Sequence, residues 1–288
     1  MSETRFVAAT DPLISNVSDT ARWVATYRAV ESARPDALFH DPLADRLAGD
    51  RGHAIVAAAP RAIRNGWWLV ARTKVMDDVI IDAIADGCDR VLNLAAGLDT
   101  RPYRLDLPPD FSWIEADLPE LLAEKEQALA DQTPRCRLTR HAVDLADPAA
   151  RDAFLNDELA GAKKALVLTE GLLMYLEDSD VRALSTAFTR PEIAWWMLDF
   201  SGPGLQKRMN KRTRGMMDSA PFKFAPTNGV AYFEDLGWRP IEIDSVFSAA
   251  LRFDRLPRWM RPLAWLPQPD PRKPGSNTFS GIVRLTRA

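Results

Sequence analysis

Cysteine is nearly absent. The 288 residues include only Cys88 and Cys136, which form no CxxC and no zinc-ligand set. A disulfide framework and a structural zinc site are disfavoured on that count. Histidine is as scarce, with only His40, His53 and His141. No apolar run reaches the length of a membrane-spanning helix, and Met1 to Thr10 lacks the apolar stretch of a secretory signal. The expectation is a cytoplasmic protein with no membrane partner. Excess charge is missing too: 37 Lys and Arg stand against 40 Asp and Glu, a net charge of −3. That balance argues against a nucleic-acid partner bound through whole-surface charge. Two phosphate-binding signatures are also lacking, the G-x-G-x-x-G dinucleotide fingerprint and the Walker A loop.

What remains is an ordinary globular mixture, 47% hydrophobic and 27% charged, long enough to bury a large core without covalent staples. Residues 1–16 are polar and read as a mobile arm. From Val17 to Arg34 the pattern turns helical, with Ser18 or Asp19 as the cap and Trp23, Tyr27 and Val30 on one stripe. Pro35 ends it. A connector over residues 38–49 leads to a second helical region from Arg61 to Asp86, closed by Gly87. Short apolar strands over 90–95, 111–117, 135–144, 164–171 and 192–200 then alternate with helices near 119–131, 148–160 and 178–189. Strand alternating with helix predicts parallel βαβ units in a doubly wound α/β sheet. Two late strands, 239–247 and 279–287, flank a proline- and tryptophan-rich loop over 257–274 and read as a hairpin. The organisation expected is one domain over 1–288. Residues 1–60 form an N-terminal helical cap, 61–200 the cofactor-binding core, and 201–288 a lid insert with the C-terminal strands.

In such sheets ligands bind beyond the carboxyl ends of the strands. The turn after the first strand, Asn93-Leu-Ala-Ala-Gly-Leu-Asp-Thr100, offers one glycine, Gly97. The second strand ends in Glu115 and Asp117, placed to bind a ribose. The third ends at Asp144, whose carboxylate can accept from an adenine amino group while the Leu145 amide meets a ring nitrogen. The fourth ends at Glu170. Acids after strands are common as turn and cap residues. Three in register beside a glycine turn point instead to an adenosine ligand with a cationic portion, and S-adenosyl-L-methionine has that composition.

The segments "RVLNLAAGLDTRPYRL", "WIEADLPELLAEKE", "HAVDLAD" and "LTEGLLMYL", preceded by "ARTKVMDDVI", resemble the leucine carboxyl methyltransferase family. The resemblance is greatest to its bacterial S-adenosylmethionine-dependent O-methyltransferase branch, and it covers roughly residues 15–200. It implies a class I methyltransferase fold, Rossmann-like, with a seven-stranded sheet and an antiparallel last strand. It implies that Arg72 pairs with the cofactor's methionine carboxylate. Ala95 and Gly97 would form the turn, Asp117 hold the ribose, Asp144 and Leu145 meet the adenine, and Glu170 sit near the methionine part. The family usually has glycine at the position of Ala95, so the resemblance implies that a Cβ faces the cofactor here.

A small-molecule acceptor is the expected partner; the sequence leaves the oligomeric state open. Neither His53 nor His141 falls in a strand-end loop, and His40 lies in the cap, so no histidine base is evident. That favours an acceptor already ionised, a carboxylate or an acidic phenol, and the expectation is a carboxylate on an apolar molecule, with O-methylation of a phenol or hydroxyl as the alternative. Tyr175, five residues past Glu170, and Arg28 in the first helix are the candidates to hold it. Met216, Met217, Phe222 and Phe224 are candidate pocket residues, and Trp259 and Trp265 candidate closures, while the basic run from Lys207 to Arg214 reads as a solvated helix face.

Overall fold

The computed structural model describes residues 14, 17–61, 63–214, 216–217 and 220–288. The arm expected over 1–16 therefore lies outside the described residues, Ile14 excepted. Three helices come first: α1 (Val17–Ser32), α2 (Ala44–Ala58) and α3 (Trp67–Ala85). Then follow β1 (Arg90–Leu94), α4 (Arg101–Arg104), β2 (Ser112–Asp117), α5 (Pro119–Ala128), β3 (Arg137–Ala142), α6 (Pro148–Leu159) and β4 (Ala165–Thr169). A short turn of 3-10 helix at Leu173–Tyr175 precedes α7 (Asp178–Ala187), β5 (Ile193–Ser201) and α8 (Pro203–Arg212). The chain closes with α9 (Ala231–Glu234), β6 (Trp238–Ser245), α10 (Val246–Arg252), a 3-10 segment at Arg258–Trp265 and β7 (Ser280–Arg287).

The seven strands form one sheet in the order β3-β2-β1-β4-β5-β7-β6. β1 to β5 run parallel, and β7 is antiparallel to both β5 and β6. Parallel strands covered on both faces must be apolar on both. Accordingly β4 is buried at every residue and β1 at all but Arg90, whereas β3, at the edge, has only exposed and half-buried positions. Side chains alternate between faces. Leu92, Leu94 and Val167 pack with Phe154, Leu184 and Trp196 on one side. Val91, Leu166 and Leu168 pack with Val75, Val79 and Val246 on the other.

Helix starts follow local chemistry. Pro119 and Pro148 occupy first turns, where a missing N–H costs nothing, and the Asp147 side chain accepts from the Ala149 amide. α3 begins after Gly66 at φ 57°, where a Cβ would lie 2.2 Å from the Tyr27 ring. Only glycine satisfies both the left-handed backbone and that approach.

Four expectations change. Residues 44–49, taken for the end of a connector, begin α2, which runs on through residues given no element and packs on α1. The second helical region begins at Trp67 rather than Arg61. Residues 246–247 start helix α10, capped by the Ser245 hydroxyl, instead of extending the strand. On α1, Trp23 and Tyr27 are buried as expected, but Val30 is 55% exposed.

Candidate active site

The strand order reverses between β1 and β4, so the loops after them diverge and open a crevice. A cavity of about 970 Å³ occupies it, roofed by α1, the start of α3, α8 and the 3-10 segment before β7. That volume is at the upper end of the usual range for one ligand and leaves room for two reactants.

The floor begins at the turn after β1. Ala95 sits at φ 54° and Gly97 at φ 51°. A Cβ on Gly97 would meet nothing closer than the Ala21 methyl at 3.5 Å, so that turn presents bare backbone to the cavity. Asp117, at the end of β2, accepts from the Gly97 amide at 2.6 Å and the Leu118 amide at 2.7 Å. Burial raises its carboxyl pKa, and those two amides oppose the rise. Asp144 and Leu145 line the same end of the cavity; Asp144 accepts from the Ala146 amide at 2.9 Å. Glu115, weighed beside Asp117 on sequence, does not line the cavity. It is fully buried and paired with Lys125 and Arg140, each at 2.8 Å.

Beneath the methionine end implied by the resemblance runs a continuous chain of ion pairs. Arg72 meets Glu170 at 3.0 Å and Asp199 at 2.9 Å. Glu170 meets Arg101 at 2.8 Å, and Arg101 meets Asp99 at 2.8 Å and Asp77 at 2.7 Å. Asp77 meets Arg104 at 2.6 Å, Arg104 approaches Asp41 at 3.9 Å, and Asp41 meets Arg28 at 2.8 Å. Burial alone would raise the Glu170 pKa, but Arg101 and Arg72 outweigh it and hold the carboxyl below its usual range. Asp99 is held well below its usual range by Arg101 against the same burial. Five carboxylates thus face four guanidinium groups, an excess of negative charge suited to a ligand of net positive charge. The Arg72 Nε is buried with no hydrogen-bond partner among the described residues.

Tyr175 follows β4 and lies in the cavity wall, 5.5 Å from the Phe222 ring and hydrogen-bonded to Thr20 of α1. Burial pushes its phenol up to about 12. Arg28 also lines the cavity, but its guanidinium is engaged: Nε donates to Asp41 at 2.8 Å and a terminal nitrogen donates to the Leu98 carbonyl at 2.5 Å. It ties the cap to the turn after β1. Met217, Phe222, Phe224 and Trp259 line the cavity; Met216 and Trp265 do not. Arg208 and Arg212 of the basic run reach its rim. None of the three histidines lines it. His141, in β3, is half-exposed and pairs with Glu158 at 2.9 Å, and His53 pairs with Asp45 at the surface.

Sequence reasoning passed over Asp199, Asp99 and Arg101. The signal for Asp199 was one acid in the otherwise apolar run Trp195-Trp-Met-Leu-Asp-Phe200. Asp99 and Arg101 sat inside the recognised Gly97-Leu-Asp-Thr-Arg101 motif without a role.

The sheet order with its antiparallel last strands is the class I methyltransferase fold. A family model described as leucine carboxyl methyltransferase matches residues 21–189. A protein of Parafrankia sp. (strain EAN1pec) is 35% identical over 250 residues, covering 80% of this chain and 79% of that one. One from Rhodococcus jostii (strain RHA1) is 32% identical, covering 88% and 84%. Both are named provisionally as S-adenosyl-L-methionine-dependent methyltransferases. Among solved structures, a DUF574 family protein from Streptomyces avermitilis superposes with a TM-score of 0.58 at 15% identity, covering 93% of this chain and 97% of that one. A protein of Thermobifida fusca titled provisionally as a methyltransferase gives 0.57 at 16%, covering 99% and 100%. These two likenesses speak for the fold alone. This chain belongs to the leucine carboxyl methyltransferase family.

Proposed function

We propose that this chain is an S-adenosyl-L-methionine-dependent O-methyltransferase that esterifies a carboxylate on a small apolar molecule. Methyl transfer from S-adenosyl-L-methionine is the part that family membership carries. The residues fit that cofactor. In this reading the bare turn at Gly97 admits close approach, Asp117 would hold the ribose, and Asp144 with Leu145 would meet the adenine edge. Arg72, whose Nε has no hydrogen-bond partner among the described residues, and Glu170 would meet the carboxylate and ammonium of the methionine part.

The carboxylate acceptor rests on one observation. Among the described residues, no histidine, lysine or cysteine lines the cavity. The cofactor supplies a methyl group on a positively charged sulfur. An acceptor carboxylate is ionised at neutral pH and needs no base, whereas an alcohol or phenol gains from one. What the chain must do is position the acceptor and exclude water. Tyr175 accepts from Thr20 and donates its own proton to an acceptor oxygen, and its raised pKa keeps that proton in place. The apolar walls built by Trp23, Trp67, Trp68 and Phe247 exclude water. Arg28 acts by holding α1, and so Thr20, over the turn.

A labelled-methyl assay over carboxylic acids and phenols tests this. Alkali should release methanol from the product, as it does from esters. A base-stable product would replace the reading with ether formation.

A further inference from the structure

The cavity lining includes both buried and bare apolar side chains. Met217 and Phe224 are 4% and 8% exposed, and Met209 and Phe222 are half-buried. Trp259, Leu263 and Leu266 belong to the same lining yet are 71%, 44% and 60% exposed. Large apolar side chains that are both cavity wall and solvent surface are an unfilled contact. They lie on the 3-10 segment at Arg258–Trp265 and just beyond it, which packs on α10. Met260, on the same segment, joins the cluster that holds Trp67 and Phe247, so the apolar wall is continuous from the inner cavity to the outside. A compact acceptor could touch the inner wall only. Contact with the outer strip requires a molecule with an apolar end that leaves the cavity.

We propose, resting on the carboxylate reading above, that the acceptor is an amphiphilic acid with an extended apolar tail. Its carboxylate reaches Tyr175, and its tail runs out across Trp259, Leu263 and Leu266. The step is an ordinary esterification. The acceptor oxygen forms the bond to the methyl carbon, the bond from that carbon to sulfur breaks, and the sulfur keeps the electron pair as a neutral thioether.

The experiment is a chain-length series: hexanoate, octanoate, decanoate, dodecanoate and tetradecanoate, each below its micelle concentration, with methyl ester formation as the readout. Each methylene laid on the strip should raise kcat/KM about two- to fourfold until the strip is covered. Trp259→Ser and Leu263→Ser should flatten that dependence for the longer acids. Trp265→Ser is the control: Trp265 is 91% exposed, lies outside the lining, and should leave the dependence as it is. Calorimetry of dodecanoate against octanoate, on enzyme holding S-adenosylhomocysteine, gives the same comparison without turnover. Equal kcat/KM across acids that are methylated, or a dependence unchanged in Trp259→Ser, would overturn the tail proposal and leave the carboxylate reading standing. If phenols are methylated and no acid is, the carboxylate reading falls and this inference with it.

Discussion

The Asp117 carboxylate and the Gly97 amide are joined at 2.6 Å, which ties the end of β2 to the turn after β1. One carboxylate oxygen is thereby committed to the turn, and the other accepts from Leu118. Both retain lone pairs for a ligand hydroxyl.

Removal of this side chain should loosen the turn and the ligand together. Asp117→Ala is expected to weaken S-adenosyl-L-methionine binding by about 1–3 kcal/mol, roughly five- to 150-fold. Calorimetry on the folded variant measures it. Unchanged affinity would remove Asp117 from the binding set.

Ala95 lies in the left-handed region at φ 54°, where a Cβ is strained and a β-branched side chain more so. Ala95→Gly relieves that strain but frees the unfolded chain, two effects of similar size. Its melting temperature should match the parent's. Ala95→Val should lose about 2 kcal/mol, several degrees in Tm. A valine variant as stable as the parent would contradict the left-handed turn.

Tyr175 keeps its proton throughout the neutral range, because burial raises the phenol to about 12. An acceptor carboxylate stays ionised over the same range. Turnover limited by chemistry should therefore be flat between about pH 6 and 8.5. A tenfold rise per pH unit would mean that a base controls the step. Tyr175→Phe should lower kcat/KM about tenfold or more through loss of a bond to a charged oxygen, with cofactor affinity unchanged.

Arg101 is 2% exposed and holds three carboxylates, Asp77, Asp99 and Glu170. Arg101→Met should cost about 3–5 kcal/mol at neutral pH by leaving buried charge unpaired. The sign with pH is fixed. Asp99 and Glu170 have lowered folded pKa values, so they stabilise the fold above their unfolded values, and that contribution is lost as pH falls through the folded ones. Without Arg101 the two carboxyls protonate more readily. Urea denaturation should therefore show the gap between variant and parent narrowing from pH 7 to about pH 4.5. A gap that stays constant would mean these carboxylates are not coupled to Arg101.

The parallel core was legible because each strand is a short apolar run closed by a turn residue, as in Arg90–Leu94 and Ala165–Thr169. α2 was not, because Gly49 breaks its helical backbone at φ 55° and no side chain caps its start. α10 was misread because Val246 and Phe247 are strand-like residues, and the Ser245 cap becomes visible only when its hydroxyl meets the Ser248 amide. At the site, the carboxylates that end strands could be read from register. The pairing of Arg28 with Asp41 could not, because it joins α1 to the segment before α2 by a fold-back that no periodicity encodes.

The ion-pair chain from Arg28 to Asp199 changes how variants of this enzyme should be interpreted. Neutral substitution of an arginine along it strands buried carboxylates, so a mutational scan should show severe losses at Arg28, Arg72, Arg101 and Arg104, whatever touches the reactants. Loss of activity at one of them is therefore poor evidence for a role in chemistry. Informative variants remove or exchange two neighbours together, such as Arg104 with Asp77. Among relatives, change at one member should be accompanied by change at the residue it pairs with, so the chain should drift as a unit.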